Sequence, residues 1–330
     1  MQLNISLSSF ISHPGTDDNL RLRSPIYSLG RLDETQKRSQ SCQLCRLVFA
    51  AFQSGPLKST LNLTDMGRIT IFAKWVNALG SSKEQRLQSS TLAILLWPES
   101  PHIPPATYKV VIRAVSGMLP DQPYFGFLSP LPSSFLNYDL IRTWLKHCKT
   151  NHTICSGVKT SSVALTTKHF WVIDVEHRCI IRAPENCQYI ALSYVWGGVP
   201  QLELSEDNFE QLTQRQSLKE EYLTTTIRDA MELTRKLRER YLWVDALCII
   251  QDSDEIRQQS IQDMGRIYAD SLLTIVSATC VSANDPLHGV SKKRDWKQWY
   301  QKISPSLTLS AHFDFKDYLM CSTYSERAWT

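Results

Sequence analysis

Arg240–Asp252 reads RYLWVDALCIIQD, a short apolar run with one acid, Asp245, in its middle and a polar pair, Gln251 and Asp252, at its end. The run predicts a buried strand over Tyr241–Ile250 that delivers polar groups to its C-terminal end, where an open α/β sheet places its ligand site. On its N-terminal side, Ile227, Ala230, Met231, Thr234 and Leu237 recur at helical spacing. They predict a helix over Thr226–Leu237, with Thr225 or Thr226 as cap and Asp229 in the first turn. On its C-terminal side, Ile256, Ile261, Met264, Ile267 and Tyr268 predict a second helix over Asp254–Tyr268. Tyr189–Trp196 and Ser271–Ala278 are further apolar strand candidates. Strand, helix, strand, helix, strand, with strands this apolar, is the pattern of a parallel sheet covered on both faces. The expected fold class is α/β: a C-terminal parallel βαβαβ sheet domain, preceded by a smaller α+β region with antiparallel strands.

Composition bounds the rest. The chain has 330 residues, enough for about two domains of roughly 150 residues each. Lys and Arg total 36 against 32 Asp and Glu, a net charge of +4 that is too small and too scattered to argue for nucleic acid. The first residues, MQLNISLSSFISHPG, lack the basic start and apolar core of a secretory signal. Leu47–Phe52 and Leu92–Trp97 fall far short of the roughly 20 apolar residues of a membrane helix. The expectation is a cytoplasmic protein with no membrane segment, whose nine cysteines are mostly reduced thiols, buried small hydrophobes or metal ligands rather than disulfides.

The polar, patternless stretch 1–40 reads as a flexible N-terminal arm, followed by the α+β region over 41–188. In it, Ser41–Gln53 has helical spacing and is apolar nearly all round, which predicts a buried helix. Arg68–Trp75 and Thr107–Val115 alternate, Thr91–Trp97 is almost continuously apolar, and the three predict an antiparallel sheet. Tyr138–Lys149 reads as an amphipathic helix with Leu140, Ile141, Trp144, Leu145 and Cys148 inward. Phe170–Val175 and Arg178–Ala183 read as a hairpin.

Several stretches together resemble the fungal heterokaryon incompatibility (HET) domain. They are YIALSYVWGG (Tyr189–Gly198), TIRDAMELTRKLRERYLWVDALCIIQD (Thr226–Asp252), MGRIYADS (Met264–Ser271) and TIVSAT (Thr274–Thr279), in order and correctly spaced. SERAWT (Ser325–Thr330) resembles the family's later Arg-x-Trp-Thr element. There a Gln-Glu pair commonly follows, so the resemblance implies a domain over 189–330 truncated at its C-terminus. It implies an effector or signalling role in fungal self/non-self recognition and regulated cell death, through self-association or protein partners. A proposed distant likeness of this domain to Toll/interleukin-receptor (TIR) modules implies a TIR-like or flavodoxin-like sheet. It also implies a second reading, a hydrolase of NAD or a related nucleotide.

The residues leave both classes open. Asp245 must be paired, hydrogen-bonded or shifted in pKa if buried, as a site carboxylate or as a structural anchor. Gln251, Asp252 and Glu255 are its companions as catalytic candidates, although Asp252 or Ser253 can equally cap the following helix. Cys248 has no evident base and reads as a buried hydrophobe. Ser193, Trp196, Gly197 and Gly198 end the first parallel strand and are binding candidates, the glycines allowing a tight turn or close backbone approach. No phosphate-binding glycine motif occurs anywhere in the chain, and the sequence identifies no organic cofactor. Cys42 and Cys45, with His152 and Cys155, form a Cys-x2-Cys and a His-x2-Cys pair. These are four ligands for a structural zinc; alternatively Cys42, Cys45 and Cys148 are core residues on two helices that pack together.

Overall fold

The computed structural model describes residues 26–54, 63–77, 90–98, 109–115, 134–152, 170–294, 298–305, 307–313, 319 and 322–326. Its strands, in chain order, are β1 (Ile26–Arg31), β2 (Ile69–Asn77), β3 (Ser90–Pro98), β4 (Lys109–Ala114), β5 (Trp171–Asp174), β6 (Cys179–Arg182), β7 (Tyr189–Ser193), β8 (Tyr241–Trp243), β9 (Leu273–Val276), β10 (Trp299–Ser304) and β11 (Leu307–Phe313). The α-helices are α1 (Leu32–Arg38), α2 (Gln43–Ser54), α3 (Tyr138–Asn151), α4 (Phe209–Leu212), α5 (Thr225–Lys236), α6 (Asp245–Cys248) and α7 (Asp254–Asp270). The chain divides into two compact units, Met1–Pro132 with Trp296–Cys321 and Ser133–Asp295 with Ser322–Thr330.

The first unit is built on a six-stranded sheet in the order β1-β2-β3-β4-β11-β10, antiparallel at every pairing. Period-2 patterning puts Ile69, Ile71 and Ala73 of β2, and Val110 and Ile112 of β4, into one core. Leu47, Val48, Ala51 and Phe52 of α2 share that core, which accounts for the helix's nearly uniform apolarity. Leu307–Phe313 pairs with β4, so the sheet is completed from the far end of the chain.

The second unit corrects the expected fold class. Its five-stranded sheet runs β6-β5-β8-β7-β9 and is mixed, not an all-parallel, flavodoxin-like βαβαβ domain. β7 pairs in parallel with β8 and β9, whereas β5 pairs antiparallel with both β6 and β8. The hairpin over 171–182, which the sequence places in the preceding region, lies beside β8 with Ile173 opposite Leu242 and Asp174 opposite Tyr241. β7, flanked on both sides, is buried at every residue. The helix α5 presents Ile227, Ala230, Met231, Leu233 and Thr234 to the core, and Trp243 packs edge-on to Tyr268 of α7 at 5.6 Å.

The strand expected over Tyr241–Ile250 ends at Trp243. Asp245–Cys248 is instead one helical turn, with the N–H of Leu247 and of Cys248 donating to Val244 O at 3.0 and 2.8 Å. Asp is a poor strand former and readily hydrogen-bonds nearby backbone. Here its Oδ1 accepts from the next N–H, of Ala246, at 2.8 Å. The continuous apolarity of the run reports burial, which a helical turn satisfies as well as a strand does. The helix α3 also departs from expectation: none of its residues is fully buried, and Trp144 is 59% exposed.

Candidate functional site

The loops that leave the C-terminal ends of β7 and β8 meet at Asp245. Its carboxylate is half-buried; Oδ2 accepts a hydrogen bond from Trp196 Nε1 at 3.1 Å. Gln251 Nε2 donates to the carbonyls of Asp245 and Ile249, both at 3.0 Å, and so closes the turn from below. The segment 204–251 is stitched across by Leu204 N to Ala246 O and Gln251 N to Leu204 O, each 2.8 Å. Tyr194 lies beside this group, its hydroxyl donating to Gln201 Oε1 at 3.0 Å. Burial, and then the charge of Asp245, push the Tyr194 phenol above its ordinary range, so it stays a neutral donor. Gln201 Nε2 is buried and meets no acceptor among the described residues.

The structure brings Asp245, Gln251 and Trp196 together and places the other candidates apart from them in role. Asp252 is exposed and accepts the backbone N–H of Glu206 at 3.0 and 3.2 Å, holding a loop start. Glu255 is exposed in the first turn of α7, where a carboxylate complements the helix dipole. Ser193 is buried, and its hydroxyl shares a 2.7 Å hydrogen bond with Tyr324. Gly197 and Gly198 both adopt positive φ, +70° and +66°. At Gly197 a Cβ would sit 2.6 Å from Ser282 Cα and Val281 O; at Gly198 it would meet open space. The first glycine is required by close backbone approach, the second only by conformation.

Two carboxylates outside the candidate set shape the rim, Asp229, expected only as a first-turn helix residue, and Asp285. Asp229 is buried within α5; its Oδ2 accepts from Leu287 N at 2.7 Å and Ser291 Oγ at 2.6 Å. Asp285 Oδ2 accepts from the N–H groups of Val281 and Ser282. Two carboxylates therefore fold the loop that presses on Gly197. Their partners are some 60 residues away or in an irregular loop, and only the hydrogen-bonding appetite of a buried Asp hints at them. Cys248 is buried, and its thiol is pushed up to about 12 by burial, so it is inert as a nucleophile.

For the zinc candidates, Cys42 and Cys45 lie at the start of α2 in the first unit, and His152 caps α3 in the second. Cys155 lies outside the described residues. Cys45 N donates to Cys42 Sγ at 3.4 Å, and burial followed by the neighbouring Cys42 pushes the Cys45 thiol up to about 11. Among the described residues no three His, Cys, Asp or Glu side chains group so as to hold a metal ion. The donor set is thus incomplete as described.

An α/β sheet unit with carboxylate-braced loops at the ends of its parallel strands is the structural class. Residues 189–330 match the family model described as Heterokaryon incompatibility protein (HET), and over that stretch the chain carries a heterokaryon incompatibility domain. No curated protein and no solved structure matches the chain. No helix among the described residues is long and apolar enough to cross a membrane.

Proposed function

We propose that this chain is a cytoplasmic effector or signalling module of fungal self/non-self recognition, which triggers regulated cell death through self-association or docking to protein partners. The observation that carries this reading is the HET match over residues 189–330. The local geometry supports a docking role: Asp252 and Asp285 hold backbone, Asp245 and Gln251 brace one turn, and the result is a set of shaped loops. Inducible expression of the full chain in a fungal host tests it. Growth arrest with uptake of a vital dye is the expected outcome, and light scattering of the purified chain reports self-association. Normal growth at confirmed expression overturns the reading.

A second reading, hydrolysis of NAD or a related nucleotide, is favoured by one observation. Half-buried Asp245 lies beside Tyr194, whose partner Gln201 keeps a buried donor without an acceptor among the described residues. Incubating the purified chain with NAD and following nicotinamide release decides it. The reading requires turnover that Asp245→Ala abolishes.

A further inference from the structure

Away from the β7 and β8 loops, a small cleft of about 70 Å³ opens to solvent between the β5–β6 turn, the turn at Glu220–Tyr222 and α5. Its apolar lining is Val175 and Met231, both buried. Arg228, Glu232 and Arg235 line it from α5, at the i, i+4, i+7 spacing of one helix face. Arg178 lines it from the turn, in a left-handed backbone conformation (φ 50°) that is uncommon for any residue but glycine. Arg178 Nε donates to Leu218 O at 3.1 Å, which pins the guanidinium in place.

Three guanidiniums thus line the cleft with two carboxylates. Arg235 is held by Glu232 through paired bonds of 2.8 and 2.9 Å. Arg178 reaches Glu220 only at 3.4 Å, and that glutamate side chain is 72% exposed. Arg228 has no carboxylate partner among the described residues; its Nη2 bonds Thr225 Oγ1 at 3.0 Å. An anion entering here would displace the weakly held Glu220 and meet two positive charges, those of Arg178 and Arg228. A dianion balances both, whereas a carboxylate leaves one unmatched. Guanidinium forks match phosphate oxygens in pairs.

We propose that this cleft binds a phosphate monoester, the phosphate seated on Arg178 and Arg228 and the organic group against Val175 and Met231. The inference is independent of the signalling role, and its test uses no cell-death readout. Isothermal calorimetry of the full chain with inorganic phosphate and with phenyl phosphate, at constant ionic strength set by chloride, measures it. Saturable binding of both is expected, with phenyl phosphate several-fold tighter because of the apolar lining. Arg228→Gln, an exposed position whose change leaves the core intact, should weaken both at least tenfold. Melting of that variant at the wild-type temperature confirms that it folds. Affinity unchanged in Arg228→Gln overturns the assignment, as does an absence of heat above the chloride control. Equal affinity for the two probes overturns the monoester.

Discussion

Asp174 is the most heavily engaged carboxylate among the described residues. It is 1% exposed; Oδ1 accepts the N–H groups of Glu176 and His177, and Oδ2 accepts His177 Nδ1 at 2.9 Å and Arg240 Nη2 at 2.7 Å. Burial alone would raise its pKa, but the hydrogen bonds from Arg240 and His177 outweigh it and hold the carboxyl at about 2, below its ordinary 3.8. A depressed folded-state pKa means that its stabilisation is fully present above pH 3.8 and drains away as pH falls through about 2. Chemical denaturation between pH 5 and pH 2 should show a loss of about 2 kcal/mol from this group. In Asp174→Asn that acid-dependent component should be absent, and the variant should be less stable by about 2 kcal/mol at pH 7. At Asp245, substitution by Ala removes the acceptor for Trp196 and for Ala246 N–H. It should cost about 1–3 kcal/mol in urea melts, with Asp245→Asn costing less. Cys248, buried and neutral, should resist iodoacetamide at pH 8 in the folded chain and react only after unfolding, as mass spectrometry would show.

At the scale of elements, the glycine pair after β7 separates two effects. Gly197→Ala drives a Cβ into the backbone of Ser282 and should cost more than about 2 kcal/mol, displacing the 281–285 loop. Gly198→Ala meets open space and should cost only the strain of positive φ, about 1 kcal/mol. Thermal melts of the two variants side by side check the contrast. Helices were the legible elements: Thr226–Leu237 was expected and Thr225–Lys236 is found, because a one-sided apolar stripe repeats within the helix itself. Pairing between successive strands was legible, in the β5–β6 hairpin and the antiparallel β2-β3-β4 run; the pairing of that hairpin with β8 was not. β8 carries no local mark that an antiparallel hairpin from 171–182 lies on one side and a parallel strand on the other. The Arg240–Asp174 bond spans 66 residues and Ser193–Tyr324 spans 131, distances over which spacing conveys nothing. Asp245 was legible as an acid inside apolar sequence; its partner Trp196 was visible as a neighbouring motif, but not as a donor to it.

For the whole molecule, the two units are interleaved in sequence. Trp296–Cys321 belongs with the first, so the family-matched stretch 189–330 supplies strands to both. A chain ended after Asp295 would lack β10 and β11 and leave the β4 edge unpaired. Unpaired edges template association, so that shortened chain should aggregate, which size-exclusion chromatography would reveal. In the cell the same arrangement becomes a matter of timing. A ribosome makes β4 long before β11, and at usual elongation rates roughly 10–40 s separate Ala114 from Phe313. Through that interval Ser133–Asp295, the greater part of the second unit, emerges, while the sheet begun before it waits for its last two strands. Until β11 has been made, the β4 edge it pairs with stays open, and an open strand edge is a template for association.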